Sequence, residues 1–197
     1  MRDDLYSMFM KRFLLASNWQ LFLLVALLPL LILVGGLLVP AYYFSGATLF
    51  FAVPLAVVFS QVVLYGWMWS VGQGLYRQKG LQAYFSNKTF RWMVATPVFI
   101  ILLVLIFWLW GAAILGMGKF SMANVLTGAL LFLLPLEVIF IVSKFYCLYF
   151  VARVLKTAEL QRAARFEDFS YDFMLLMIFP IGLWWIQPRL SRLTEEK

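Results

Sequence analysis

Apolar residues in this chain come in runs too long for a half-buried helix and too continuous for a strand. No charged residue occurs from Phe13 to Tyr76, a run of 64 positions. One membrane-crossing helix takes about 20 residues, so the run predicts two. Pro40-Ala-Tyr-Tyr-Phe-Ser-Gly46 divides them with a helix stop, two tyrosines suited to an interface, and Ser45 as a candidate N-cap. Span one is expected at residues 19–44 and span two at 47–75, with Pro54 close enough to the start of span two for its missing donor to cost little. The uncharged run from Trp92 to Gly118 predicts span three at 92–116, closed by a glycine-rich turn near Lys119. Span four is expected at 124–151, with a helical continuation toward Ala164. Between spans two and three, Arg77 to Arg91 carries four positive charges and no negative ones, which reads as a surface loop with a short interfacial helix near 81–85.

After span four come a charged elbow, Arg165-Phe-Glu-Asp-Phe-Ser-Tyr-Asp172, and a 16-residue uncharged segment, Phe173 to Pro188, interrupted by Pro180 and Gly182. Sixteen helical residues reach only about 24 Å, short of the roughly 30 Å hydrocarbon core. A fifth span would also put Arg189, Arg192 and Lys197 on the poorly charged side. Three geometries are open: a re-entrant element, a flat amphipathic helix and a short fifth span. Length and charge favour the first, a membrane-dipping segment at 169–188. It would descend from Phe169 or Ser170 to Phe179 with Asp168 or Ser170 as its cap, bend at Pro180-Ile-Gly182, and return through Leu183-Trp-Trp-Ile-Gln187.

Composition agrees with a membrane chain: 64% hydrophobic, 13% charged, mean hydropathy +0.91. One domain is expected over residues 1–197. Of 16 Lys and Arg residues, 14 fall on one side of the predicted threading, leaving Lys119 opposite and Lys144 within a span. The positive-inside rule then places both termini in the cytoplasm. Trp19, Trp67, Trp69 and Trp92 gather toward the inner face, and Tyr42, Tyr43, Trp108 and Trp110 toward the outer one. The net charge of +7 flanks apolar spans and forms no separate basic domain, so membrane lipid, not nucleic acid, is the expected partner. A signal peptide would have a shorter apolar core, so the first run is expected to be a retained span.

Chemistry is sparse. The chain has no histidine and one cysteine, Cys147, which reads as a small buried apolar residue. Serine–histidine catalysis, zinc sites and disulfide frameworks are therefore not expected, and neither is any cofactor. Glu137 is the one carboxylate inside a main span; left facing lipid it costs about 2.5–3.5 kcal/mol, so it is expected to face protein. Gln61 lies 14 residues into span two and Glu137 13 residues past Asn124, each about 20 Å down its helix. That predicts a Gln61–Glu137 hydrogen bond, read either as a proton, ion or ligand site or as a packing pin. Lys144, seven residues on, shares the face of Glu137 about 10.5 Å away and is expected to snorkel to the inner interface, with Ser70 and Gln73 at a similar depth. Gly66, Ser70 and Gly74 put small residues at intervals of four, a stripe suited to close helix packing. In the elbow and beyond, Arg162, Arg165, Glu167, Asp168 and Arg189 form a candidate surface for a protein partner or lipid headgroups, against the plainer reading of a solvated elbow with local ion pairs.

Phe145-Tyr-Cys-Leu-Tyr-Phe150, Lys156-Thr-Ala-Glu-Leu-Gln161, Phe166-Glu-Asp-Phe169 and, most specifically, Phe179-Pro-Ile-Gly-Leu-Trp-Trp-Ile-Gln-Pro188 resemble a family of small bacterial integral membrane proteins of uncharacterised function. The resemblance covers roughly the last 55 residues and implies a bacterial inner-membrane location; it carries over no activity and no site. The expected fold is an all-α membrane protein of four transmembrane helices, N-in and C-in, with the C-terminal re-entrant or interfacial element. The expected function is that of a non-catalytic binding or accessory component engaging a partner or lipid through elbow and C-terminal segment. The rival is a small transporter or channel-like protein using Glu137, Gln61 and Lys144, which would need to form a homo-oligomer.

Overall fold

A computed structural model describes residues 13–42, 47–116, 122–179 and 181–195. Every regular element among them is helical. Four helices are long and apolar enough to cross a membrane, at Asn18–Gly36, Ala52–Gln78, Lys88–Gly111 and Leu126–Leu160, each overlapping a predicted span. Ser45, the turn near Lys119, Pro180, and the N-terminal Asp3, Asp4, Lys11 and Arg12 lie outside the described residues. We label the helices α1 (18–42), α2 (47–78), α3 (Lys88–Gly116), α4 (Met122–Leu160), α5 (Phe166–Met177) and α6 (Leu183–Glu195). Helix α1 contains a π turn at Leu23–Leu27 and α2 another at Ser70–Leu75. The chain divides into two compact units, Met1–Lys88 with Leu148–Lys197, and Thr89–Cys147.

In the first unit, α1 starts at a capping box: the Gln20 N–H donates to the Ser17 hydroxyl (3.3 Å) and the Ser17 N–H to Gln20 Oε1 (3.0 Å). Two prolines then shape how helices join. Pro29 has no N–H to offer the Val25 carbonyl four residues back, and the Ser60 hydroxyl of α2 donates to that oxygen instead, at 3.0 Å. Pro188 in α6 likewise deprives the Trp184 carbonyl, which accepts from the Asn18 side-chain amide of α1 at 3.3 Å. In lipid, where water cannot serve a freed carbonyl, such borrowed donors are what make an interior proline tolerable. Ser60→Ala is accordingly expected to cost about 1 kcal/mol, read as a lower thermal midpoint in detergent; a Ser60→Ala, Pro29→Ala pair should recover most of it.

The second unit is simpler. Pro97 and Pro135 lie inside α3 and α4, and the Ser143 hydroxyl contacts Met93 Sδ at 3.7 Å. Phe107 and Phe132 stack with ring centroids 5.6 Å apart. Large apolar side chains such as Phe99, Ile106, Leu131 and Val142 stand exposed, a surface suited to lipid contact.

Three boundaries differ from the sequence reading. Helix α4 continues beyond the expected span as the sequence reading has it, but stops at Leu160, short of Ala164, because Gln161 takes a left-handed conformation (φ 51°). The Gln161 N–H still closes onto the Thr157 carbonyl (3.0 Å), and the Ala164 N–H reaches back to the Thr157 hydroxyl (3.3 Å). The short interfacial helix at 81–85 reduces to one 3₁₀ turn, Leu81–Ala83. Helix α6 runs on to Glu195, where the sequence reading ended the return near Gln187.

Candidate functional site

Helices α5 and α6 form a helical hairpin whose seat is ionic and whose edge is apolar. Helix α5 begins at Phe166, three residues before the earlier of its expected starts. Asp168 does not stand at the cap but three residues inside it, accepting the Arg165 backbone N–H at 2.9 Å. The Arg162 guanidinium donates to both Asp168 oxygens, each at 3.0 Å. The Arg165 N–H first, and then Arg162, hold the Asp168 carboxyl below the ordinary carboxylate range. A lowered carboxyl contributes stability above its unfolded pKa and loses it as pH falls through the folded value. Acidification below about pH 4 is therefore expected to loosen the start of α5. Amide exchange over residues 160–170, corrected for intrinsic rates, checks this: protection should fall at low pH in the native chain and be low at both pH values in Asp168→Asn. Equal native protection at both would refute it.

The hairpin folds back where Ile178, Ile181 and Gly182 carry the turn: the Ile181 and Gly182 N–H groups both close onto the Ile178 carbonyl, at 2.9 and 3.3 Å. A Cβ on Gly182 would collide with the Leu175 carbonyl oxygen, so glycine is required for close approach. Gly182→Ala should cost about 2 kcal/mol and open the hairpin. Protease cleavage between α5 and α6 would report the opening; unchanged resistance would contradict it.

Doubling back brings Arg189 to Asp172 and Glu159. Its guanidinium donates to Asp172 Oδ1 and Oδ2 (2.5 and 3.1 Å) and to Glu159 Oε1 and Oε2 (2.7 and 2.8 Å). Lys156 adds a second cation on Glu159 at 3.1 Å. Asp172 is 2% exposed, so its charge rests on this partner. The hydrogen bonds to Asp172 hold the Arg189 guanidinium protonated well above its ordinary range, against the opposing effect of burial.

A second anchor lies two residues earlier. Gln187, 1% exposed, accepts the Trp67 indole N–H (3.0 Å) and donates its amide to the carbonyls of Phe13, Leu14 and Ala16 (3.2, 3.0 and 2.9 Å). Phe13 and Leu14 are the last helical residues before a short non-helical stretch at 15–17 ahead of α1, so their carbonyls have no continuing turn to serve. Trp184 packs edge-on against Trp19 with centroids 4.8 Å apart. With the buried face so committed, the outer edge carries Tyr171, Met174, Ile178, Ile181 (60% exposed) and Trp185, none of them charged.

The candidate residues fare differently. Arg189 is no open surface cation, since two carboxylates occupy it. Arg162 and Asp168 pair with each other, while Arg165 and Glu167 stand exposed. Glu137 is exposed and Lys144 half-exposed, both in the second unit. Gln61 belongs to the first unit, where its Oε1 is buried without a hydrogen-bond partner among the described residues. Gln187 and Asn18, which were no part of the candidate set, carry the hairpin's attachment together with Glu159 and Asp172 of the charged elbow, which pair with Arg189 instead of forming an open surface. Among the described residues, no three His, Cys, Asp or Glu side chains converge as a metal cage requires. Comparison with protein-family models, with curated proteins and with solved structures finds no match to this chain.

Proposed function

We propose that the protein is a non-catalytic accessory component of a bacterial inner membrane, with both termini cytoplasmic, whose α5–α6 hairpin dips into the inner leaflet. The observation that carries the reading is the exposed apolar edge Tyr171, Met174, Ile178, Ile181 and Trp185, on an element rigidly seated by Arg189 and Gln187. Such an edge is stable against lipid and costly against water. Arg189 and Asp172 mark the depth at which the hairpin leaves the headgroup level, and the exposed Arg165 and Glu167 face a protein partner on the cytoplasmic side.

A single cysteine at Ile181, in a Cys147→Ala background, tests the dipping by spin-label accessibility in vesicles. Contact with oxygen dissolved in the acyl region supports it; access to a water-soluble relaxant throughout rejects it. Purification in mild detergent then tests the accessory role. A stoichiometric protein partner that is lost in the double change Arg165→Glu, Glu167→Arg supports the reading, and a chain that purifies alone rejects it.

A second reading has two separate observations in its favour: Glu137, a carboxylate on a spanning helix of the second unit, stands exposed, and Gln61 of the first unit has a buried oxygen without a hydrogen-bond partner among the described residues. An oligomeric transporter would place Glu137 at a subunit contact. Glu137→Gln should then abolish pH-dependent ion flux in proteoliposomes while leaving assembly intact.

A further inference from the structure

A groove of about 460 Å³ runs along the start of α1, walled by Phe13, Ala16, Gln20, Leu21, Leu23 and Leu24 of the first unit. Local features of the chain shape it. The Phe13 ring stands against Gly66 of α2, 3.5 Å from where a Cβ would lie. The non-helical stretch at 15–17 brings only the methyl of Ala16 to the wall. Leu23 and Leu24 belong to the π turn, where the Leu28 N–H closes onto the Leu23 carbonyl five residues back. Such an insertion moves side chains out of the ordinary helical register and recurs at functional positions.

Gln20 is the polar residue among these walls, and its amide has a fixed sense. The Ser17 N–H needs an acceptor, so Gln20 Oε1 takes that bond at 3.0 Å and Nε2 is the end left over. No acceptor serves Nε2 among the described residues. Helix α1 is long and apolar enough to cross a membrane from Asn18 onward. From Asn18 to Leu24 it rises about 9 Å, so the groove lies within one leaflet of a roughly 30 Å core and close to its surface. An amide donor held against hydrocarbon there is costly until something accepts from it.

We infer that the groove holds an ester-linked acyl chain of a membrane glycerophospholipid, whose ester carbonyl accepts the Gln20 amide N–H. An acyl ester joins one acceptor to a long apolar tail, the complement of one donor beside an apolar wall. A second spanning helix fits less well, because its backbone carbonyls are spent on its own turns. Charge favours the lipid too. Lys11 and Arg12 directly precede Phe13 in the chain. The exposed Arg192 follows Ser191, whose hydroxyl donates to the Leu14 carbonyl at 3.5 Å. These cations complement the lipid's phosphate. The inference rests on α1 crossing the membrane and is independent of the role proposed for the hairpin.

The test uses the full chain in detergent and two probes, phosphatidylglycerol with ester-linked chains and its ether-linked analogue, which lacks the carbonyls. Native mass spectrometry reads how much of each stays bound. The native chain should retain the ester lipid about fivefold better, the worth of one hydrogen bond. Gln20→Glu keeps the oxygen that accepts from Ser17 and removes the N–H donor, so it should abolish that preference. Ala16→Leu fills the groove and should lower retention of both lipids. A helical spectrum like that of the native chain checks that each variant folds, and the comparison on the native chain needs neither variant. Equal retention of the two lipids by the native chain overturns the proposal, as does a preference that survives Gln20→Glu. Dimers that Ala16→Leu dissolves, with neither lipid retained, overturn it in favour of a second copy.

Discussion

Arg189→Met is expected to lower the unfolding free energy by about 3 kcal/mol, because it strands a buried carboxylate. Asp172 is 2% exposed and has Arg189 on both its oxygens, so losing the guanidinium leaves a charge that must take up a proton or drag the hairpin into water. Glu159 is hurt less, since Lys156 remains on it. Arg189→Lys should rescue little: an ammonium cannot present a fork to two carboxylates at once. Removing the charge from both sides, as in Arg189→Met with Asp172→Leu, should recover most of the loss, since an apolar pair of similar volume is about as stable as a buried ion pair. Thermal unfolding of the purified variants in one detergent measures this. A midpoint for Arg189→Met equal to that of the native chain would show that the seat is not structural.

Gln187→Leu is expected to cost about 2–4 kcal/mol by another route. The Trp67 indole N–H loses its acceptor, and the carbonyls of Phe13, Leu14 and Ala16 lose their common donor. The two anchors differ in their response to salt, since the Gln187 contacts are neutral. Adding Trp67→Phe to Gln187→Leu should restore about 1 kcal/mol by deleting the orphaned donor. Additive losses in that double variant would mean that the indole N–H finds another acceptor when Gln187 is gone.

The spans were legible in the sequence because each is a local property: a run of apolar residues of the right length needs no knowledge of its neighbours. The hairpin's seat was not, because Glu159, Asp172 and Arg189 are separated by 17 and 30 positions in the contacts that matter. A signal did exist. Asp172 and Arg189 lie at the two ends of the uncharged segment, at equal distance from its Pro180-Ile181 midpoint, so folding it in half joins opposite charges. Gln187 stood out in the same way, as the one amide in an apolar stretch, but its partners lie more than 100 positions away. Depth along a helix could be counted for Gln61 and Glu137, whereas the direction each side chain faces depends on insertions such as the π turns, which composition does not announce. The extent of α6 was misjudged because Pro188 reads as a terminator until the donor that serves Trp184 is known.

The two borrowed donors impose an order on synthesis. Val25 and Ser60 are 35 positions apart, so the carbonyl that Pro29 opens is served as soon as the second span arrives beside the first. Asn18 and Trp184 are 166 positions apart, and Asn18 waits for all of the spans between them to be made. Through that interval the start of α1, the Trp67 indole and the carbonyls of Phe13, Leu14 and Ala16 lack their final partners. Helix α6 therefore completes the start of α1, and a chain cut before Leu183 would present an unfinished junction there to the machinery that disposes of such chains.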